Sequence, residues 1–151
     1  MREIDEPIPD DEELYRTVGV LDCDGDRVLP HRFIDGAERP HNIIDADGTS
    51  VCRQKYVVAP TNCLTPLRPD ENGLAMILAG NLPAPVQTPA GTVWEFRAVD
   101  APEEDNDAHA EIRVRKRGTP QGQWDRVKKP AQRLAIKQAL AARFRVILPP
   151  V

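Results

Sequence analysis

Several features that would mark a membrane protein or a well-known enzyme class are missing from this sequence. No apolar run approaches the roughly 20 residues that a membrane-spanning helix needs. The acidic amino terminus, MREIDEPIPDDEELYR, has no apolar centre of the kind that a signal peptide requires. The P-loop, the Rossmann glycine fingerprint and the G-x-S-x-G motif are missing as well. We therefore expect a cytoplasmic protein with no membrane contact, and these motifs supply no catalytic residue.

Cysteine is scarce, and its spacing argues against a metal site. Cys23, Cys52 and Cys63 form no C-x₂₋₄-C pair, the spacing that structural zinc sites usually show, so we expect reduced, buried thiols. His109 and Glu111 match the H-x-E of zinc nucleobase deaminases, but no later cysteine completes that zinc site. We expect no metal and no cofactor, and a zinc site shared between adjacent hairpins is the open alternative.

Two D-x-D-G motifs raise the question of a phosphatase. They are LDCDG at 21–25 and IDADG at 44–48. Asp45 and Asp47 resemble the first motif of haloacid-dehalogenase-type phosphohydrolases, in which the two aspartates act as nucleophile and as general acid and base. Such a Mg²⁺-dependent enzyme also needs a lysine, further carboxylates and several βα units, for which little chain remains. The repetition favours two hairpin turns instead, because D-G supplies the positive φ that such turns need. Whether these turns bind a cation stays open.

Length and local composition predict the domain organisation. A chain of 151 residues suffices for one hydrophobic core. Residues 1–13 are predicted to be a disordered acidic arm, because their prolines and carboxylates bury little apolar surface. Residues 14–148 are predicted to form a single α+β domain.

Hydrophobic periodicity predicts the elements of that domain. LYRTVGVL, TVWEFRAV and AEIRVR have the β-branched and alternating character of strands. Residues 71–79 favour a short central helix that Gly80 ends. A second helix begins at Pro130, and Ile136, Leu140 and Phe144 form an apolar stripe along it. The expected fold class is therefore α+β: a mostly antiparallel sheet of hairpins with one short central helix and one C-terminal helix.

Charge is distributed very unevenly along the chain. Residues 112–148 contain eleven basic residues and one acidic residue, a net charge of +10, whereas the other residues contain nine basic and 23 acidic residues, a net charge of −14. Two basic clusters flank Trp124, an aromatic residue on which a base or another side chain could stack. The candidate partner-binding residues are Arg115, Lys116, Arg117, Trp124, Lys128, Lys129 and His109.

Short motifs resemble a family of uncharacterised short bacterial proteins. These motifs are LYR at 14–16 after an acidic arm, Phe33, Ser50-Val51, GLA at 73–75, NDAHAEI at 106–112 and Leu134-Ala135. The resemblance covers most of residues 13–142 and brings no activity, ligand or catalytic residue with it. Its members resemble accessory proteins encoded beside larger effectors, which implies a binding role.

These observations lead to one functional expectation and two alternatives. We expect a non-catalytic accessory protein that binds a macromolecular partner, namely a protein encoded in the same operon. The first alternative is a nucleic-acid-binding protein that uses the basic segment 113–145. The second is the phosphohydrolase with Asp45 and Asp47. The sequence determines neither the identity of the partner nor the oligomeric state.

Overall fold

Short strands joined by turns make up most of the described chain. A computed structural model describes residue 2 and residues 5–32 and 48–151. Within these residues there is one α-helix, α1 (Pro130–Ala141), and several single turns of 3₁₀-helix. The strands in chain order are β1 (Glu13–Val18), β2 (Cys23–Asp24), β3 (Arg27–Val28), β4 (Gly48–Arg53), β5 (Gly73–Leu78), β6 (Val86–Gln87), β7 (Val93–Asp100), β8 (His109–Lys116) and β9 (Arg145–Leu148).

Seven of these strands form a curled antiparallel sheet with the order β6-β7-β8-β4-β1-β5-β9. Alternate residues of each long strand point to the same side, and the apolar ones point toward α1. The helix presents Ile136 and Leu140 to the sheet, and Phe144 follows them into the core. The buried cluster contains Leu14, Val18, Val51, Ala75, Ile77, Trp94, Phe96, Ala110, Ile112, Val114, Ile136, Leu140 and Phe144.

The coarse fold prediction is confirmed. The structure is α+β, although mainly β, and its one described α-helix is the predicted C-terminal one. On β8, buried Ala110, Ile112 and Val114 alternate with partly exposed residues, as the sequence pattern predicts. Among the described residues, no helix has the length and apolar character needed to cross a membrane.

The predicted central helix over 71–79 is wrong. Residues 73–78 form β5, which pairs with β1 on one side and with β9 on the other. Its sequence, GLAMIL, is a continuous apolar run because the strand lies in the interior of the sheet rather than at an edge. A short run of this kind has no periodicity that separates a buried strand from a helix, and pairing with two strands decided the outcome.

Replacing Gly73 with alanine tests this correction. In a helix the change would stabilise the protein by roughly 1 kcal/mol, because glycine is a poor helix former. In the strand, an added Cβ would lie 2.7 Å from the backbone N of Pro150 and 2.8 Å from the carbonyl O of Leu148. We therefore expect Gly73→Ala to lower the midpoint of urea unfolding. A raised midpoint would contradict the strand.

Only part of the sheet consists of local hairpins. Strands β6, β7 and β8 follow one another, but β1 pairs with β4 and β5, and β4 pairs with β8. The first D-x-D-G motif makes a short turn between β2 and β3, and Gly25 there has a φ of 63°. Asp45 and Asp47 of the second motif lie outside the described residues. Every strand pair in the described ranges is antiparallel, so the βα units that a haloacid-dehalogenase fold requires find no support.

Part of the predicted acidic arm contacts the sheet. The backbone N–H of Gly80 donates to the carbonyl O of Asp10 at 2.8 Å, and that of Ala79 donates to Glu12 at 3.0 Å. Glu12 is buried and holds the guanidinium of Arg53 through two hydrogen bonds. These contacts attach residues 10–12 to the domain, and the disorder of residues 1–13 stays a prediction.

Candidate functional site

The outer surface of β7 and β8 brings together two of the predicted partner-binding residues, Arg115 and Trp124. Because Ile112 and Val114 point into the core, Arg113 and Arg115 between them point outward. The loop after β8 then returns over this surface. The backbone N–H of Asp125 in this loop donates to the carbonyl O of Val114 at 3.2 Å, and the Val127 side chain is buried. These two contacts hold the loop in place beside β8.

Asp125 also fixes the conformation of this loop through its side chain. Its Oδ2 accepts hydrogen bonds from the backbone N–H of Lys116 at 2.8 Å and from the hydroxyl of Thr119 at 2.6 Å. The adjacent Trp124 is thereby held beside β8. The guanidinium carbons of Arg113 and Arg115 lie 6.0 and 5.9 Å from the Trp124 ring centroid, near the outer limit for cation–π attraction.

Two arginines face each other across the strands at this site. Arg97 on β7 is in register with Arg113 on β8, and like charges placed directly opposite are unfavourable. Arg97 is exposed, and no carboxylate of the described chain lies within ion-pair distance of it. Nearby carboxylates compensate this charge only loosely: Glu111 lies 3.5 Å from Nη2 of Arg113, and Glu95 lies 3.8 Å from Nε of Arg115 and 3.7 Å from Nε of Arg117. The Nε of Arg115 is buried and has no hydrogen-bond acceptor among the described residues.

A cleft runs along the edge of β7 next to these arginines. Strand β6 pairs only with Val93 and Trp94, so the rest of that edge has no strand partner in the described chain. The cleft has a volume of about 450 Å³, and residues 5–8 form its opposite wall. Arg97, Arg115 and Trp124 line it, together with Gln121 and Gly122.

The structure separates the predicted site residues into groups. Arg115 and Trp124 lie together on the outer surface, and Arg117 follows directly after β8 with Glu95 3.7 Å from its Nε. Lys116 alternates to the other side of the strand, where its Nζ lies 5.8 Å from the ring centroid of the buried Trp94. Lys128 and Lys129 are exposed immediately before α1. His109 does not join them, because it begins β8 seven residues before Lys116, about 23 Å away along a strand.

His109 instead lines a second pocket, together with Ser50 of β4. The pocket has a volume of about 330 Å³ and lies on the outer side of β1, β4 and β8. Ser50 Oγ lies 2.9 Å from Nε2 of His109. On the other side of the imidazole, Nδ1 lies 2.7 Å from the carbonyl O of Ala101 and 3.2 Å from Oε1 of Glu103. The hydroxyl of Ser50, the imidazole of His109 and the carboxylate of Glu103 therefore form a continuous chain of contacts.

Two thiols border the same pocket. Cys52 and Cys63 are partly exposed and hydrogen-bonded to each other. The bond from Cys63 lowers the pKa of Cys52, while this bond and burial raise the pKa of Cys63. Burial and a hydrogen bond to Glu13 raise the pKa of Tyr15, a further wall residue. Cys52, Cys63 and Tyr15 therefore form part of the wall of this pocket beside Ser50.

Sequence reasoning missed Arg97, Ser50 and Glu103 as site residues. Arg97 lies outside the basic segment, and Ser50 and His109 are 59 positions apart.

Comparison of the chain with protein-family models, curated proteins and solved structures finds no match. In the described ranges, no group of three or more His, Cys, Asp or Glu side chains is arranged to hold a metal ion. The chemistry of the two sites is therefore the basis for a function.

Proposed function

We propose that this protein binds an acidic, extended segment of a partner protein in the cleft along β7. The observation that supports this best is the Arg97–Arg113 pair beside Trp124. Two guanidinium groups placed opposite each other cost stability, and an anionic partner relieves that cost. A protein encoded in the same operon is the expected source of the segment, in line with an accessory role.

The edge of β7 beyond Trp94, where no described strand pairs with it, favours an extended peptide over a nucleic acid. A peptide strand can pair with the free backbone groups after Trp94, and its alternate side chains would then reach Arg97 and Trp124. We propose nucleic acid only as the alternative that the experiment tests.

Peptide binding followed by fluorescence anisotropy tests the proposal. The probes are labelled dodecapeptides of alternating glutamate and valine, alternating lysine and valine, and the glutamate peptide with N-methylated backbone. At about 0.15 M salt, where the Debye length is ~8 Å, we expect only the unmodified glutamate peptide to bind saturably. Trp124→Ala should weaken this binding by about 2 kcal/mol, roughly thirty-fold in Kd, as for an interface hot spot. Arg97→Ser should weaken it as well.

Matched controls separate this cleft from general charge. Arg27→Ser removes an exposed arginine on β3, away from the cleft, and should leave binding unchanged. Equal binding of the N-methylated peptide would rule out pairing with the β7 edge. Submicromolar binding of an oligothymidylate in place of the peptide, lost when Arg115, Lys116 and Arg117 are removed together, would establish the nucleic-acid alternative. Capture of proteins from the native host then identifies the natural segment.

A further inference from the structure

The contacts of His109 with Ser50 and Glu103 determine which of its ring nitrogens carries the proton, and the proposed partner binding does not involve these residues. Nδ1 of His109 faces two acceptors, the carbonyl O of Ala101 and the carboxylate of Glu103. A carbonyl oxygen accepts only, so Nδ1 must carry the proton that is donated to it. Nε2 is then the unprotonated nitrogen of the neutral ring. At 2.9 Å it accepts the hydroxyl proton of Ser50.

This tautomer is the one that a general base needs. In hydrolases with a serine nucleophile, the imidazole takes the hydroxyl proton through Nε2 while an acceptor at Nδ1 orients the ring. Such a constellation is recognised by geometry and not by sequence position. Ser50 lies on a strand rather than in a G-x-S-x-G turn, which is why the sequence motif does not reveal it.

The pocket also offers a donor for a developing oxyanion. Oδ1 of Asn106 accepts the backbone N–H of Ala108 at 3.1 Å, which fixes the orientation of the side-chain amide. Asn106 lines the same pocket as Ser50 and His109. Its NH₂ group makes no hydrogen bond within the described residues, so it is available to a ligand. A side-chain amide is one of the groups that stabilise tetrahedral intermediates of acyl transfer.

We propose that this pocket hydrolyses small carboxylic esters, with Ser50 as nucleophile, His109 as general base and acid, and Glu103 as a positioning residue. The size of the pocket, near the lower end of ligand sites, limits the acyl group to a short one. Polar walls, which include Arg68 and Thr65, favour a polar ester over a lipid.

The reaction balances with water as the only co-reactant. Ser50 Oγ attacks the carbonyl carbon as its proton passes to Nε2 of His109, and the carbonyl electron pair moves to the oxygen. Collapse of this intermediate breaks the bond to the alkoxide, which takes the proton from Nε2 and leaves as the alcohol. A water then attacks the acyl-serine, again giving its proton to His109. The carboxylic acid is released, and Ser50 recovers its proton.

Hydrolysis of p-nitrophenyl acetate by the intact protein tests the proposal. We expect turnover above that of an equal concentration of free imidazole. Ser50→Ala and His109→Gln should each lower the rate at least a hundred-fold or to that background. Glu103→Gln should lower kcat and leave KM unchanged, because Glu103 orients the ring without touching the substrate. Melting curves confirm that each variant is folded.

A second measurement does not depend on any variant. Phenylmethylsulfonyl fluoride should sulfonylate the wild type once, and mass spectrometry of its peptides should locate the label on Ser50. Cys52→Ala is the matched control for the neighbouring thiol and should keep both the turnover and the label. Wild-type turnover at background with no label on Ser50 would overturn the proposal. Loss of turnover in Cys52→Ala, with its retention in Ser50→Ala, would assign the nucleophile to the thiol and overturn it equally.

Discussion

Replacing Arg53 with alanine is expected to lower the free energy of unfolding by about 3–5 kcal/mol, since removing one partner of a buried ion pair leaves its counter-charges uncompensated. The Arg53 side chain is fully buried. Its Nε and Nη2 donate to the two carboxylate oxygens of Glu12 at 2.9 and 2.8 Å, and its Nη1 donates to Asp100 at 3.0 Å. The variant therefore removes the guanidinium that binds Glu12, and Asp100 keeps its hydrogen bonds from Arg2 and from the backbone N–H of Glu6.

Urea unfolding at neutral pH checks this expectation, and two further variants control it. Arg53→Lys keeps the charge but loses the bidentate hydrogen bonds to Glu12. Its free energy of unfolding should therefore lie between those of the wild type and the alanine variant. Lys55→Ala removes a neighbouring but exposed cation from Glu6 and should change stability far less. The free energy of unfolding of single-domain proteins is about 5–15 kcal/mol. The alanine variant should therefore lose a large part of its stability. An effect no larger than that of Lys55→Ala would contradict the stabilising role of this cluster.

Local pattern was sufficient for the elements whose environment has two distinct sides. The Ile136–Leu140–Phe144 stripe predicted α1 because one side of the helix is buried and the other is solvated. The alternation of buried and partly exposed residues predicted β8 for the same reason. Local pattern was insufficient at 73–78, because β5 lies between two strands and no polar positions there mark a period.

The candidate sites depend on pairings that no local pattern contains. Ser50 meets His109 only because β4 pairs with β8 in the register Cys52 to His109, which brings together segments far apart in sequence. Arg97 meets Arg113 through the β7–β8 register in the same way. In contrast, Trp124 and its flanking arginines are close in sequence, and their cluster was predicted. Sequence separation thus explains why Ser50 and Arg97 were missed and why Trp124 and its neighbouring arginines were found.

Acidification below about pH 4 is expected to destabilise the protein through the same cluster that holds Arg53. Hydrogen bonds from Lys55 and Tyr56 lower the pKa of Glu6 to about 2. Burial alone would raise the pKa of Asp100, but hydrogen bonds from Arg2 and Arg53 outweigh it and lower that pKa. Unfolded carboxylic acids have pKa values of about 3.9–4.3. The folded state therefore binds fewer protons, and this stabilisation is present above that range and lost as the pH falls toward 2.

Measuring the free energy of unfolding between pH 7 and pH 2 isolates the contribution of Glu6. The Glu6→Gln variant has no carboxylate to titrate at this position, so between about pH 4 and pH 2 its stability should fall less steeply, by up to one proton per molecule. Glu104→Gln is the matched control, because Glu104 is an exposed carboxylate that forms no ion pair with the described residues, and its curve should follow the wild type. If the wild-type and Glu6→Gln curves have the same slope, Glu6 is not held by Lys55 and Tyr56 in solution.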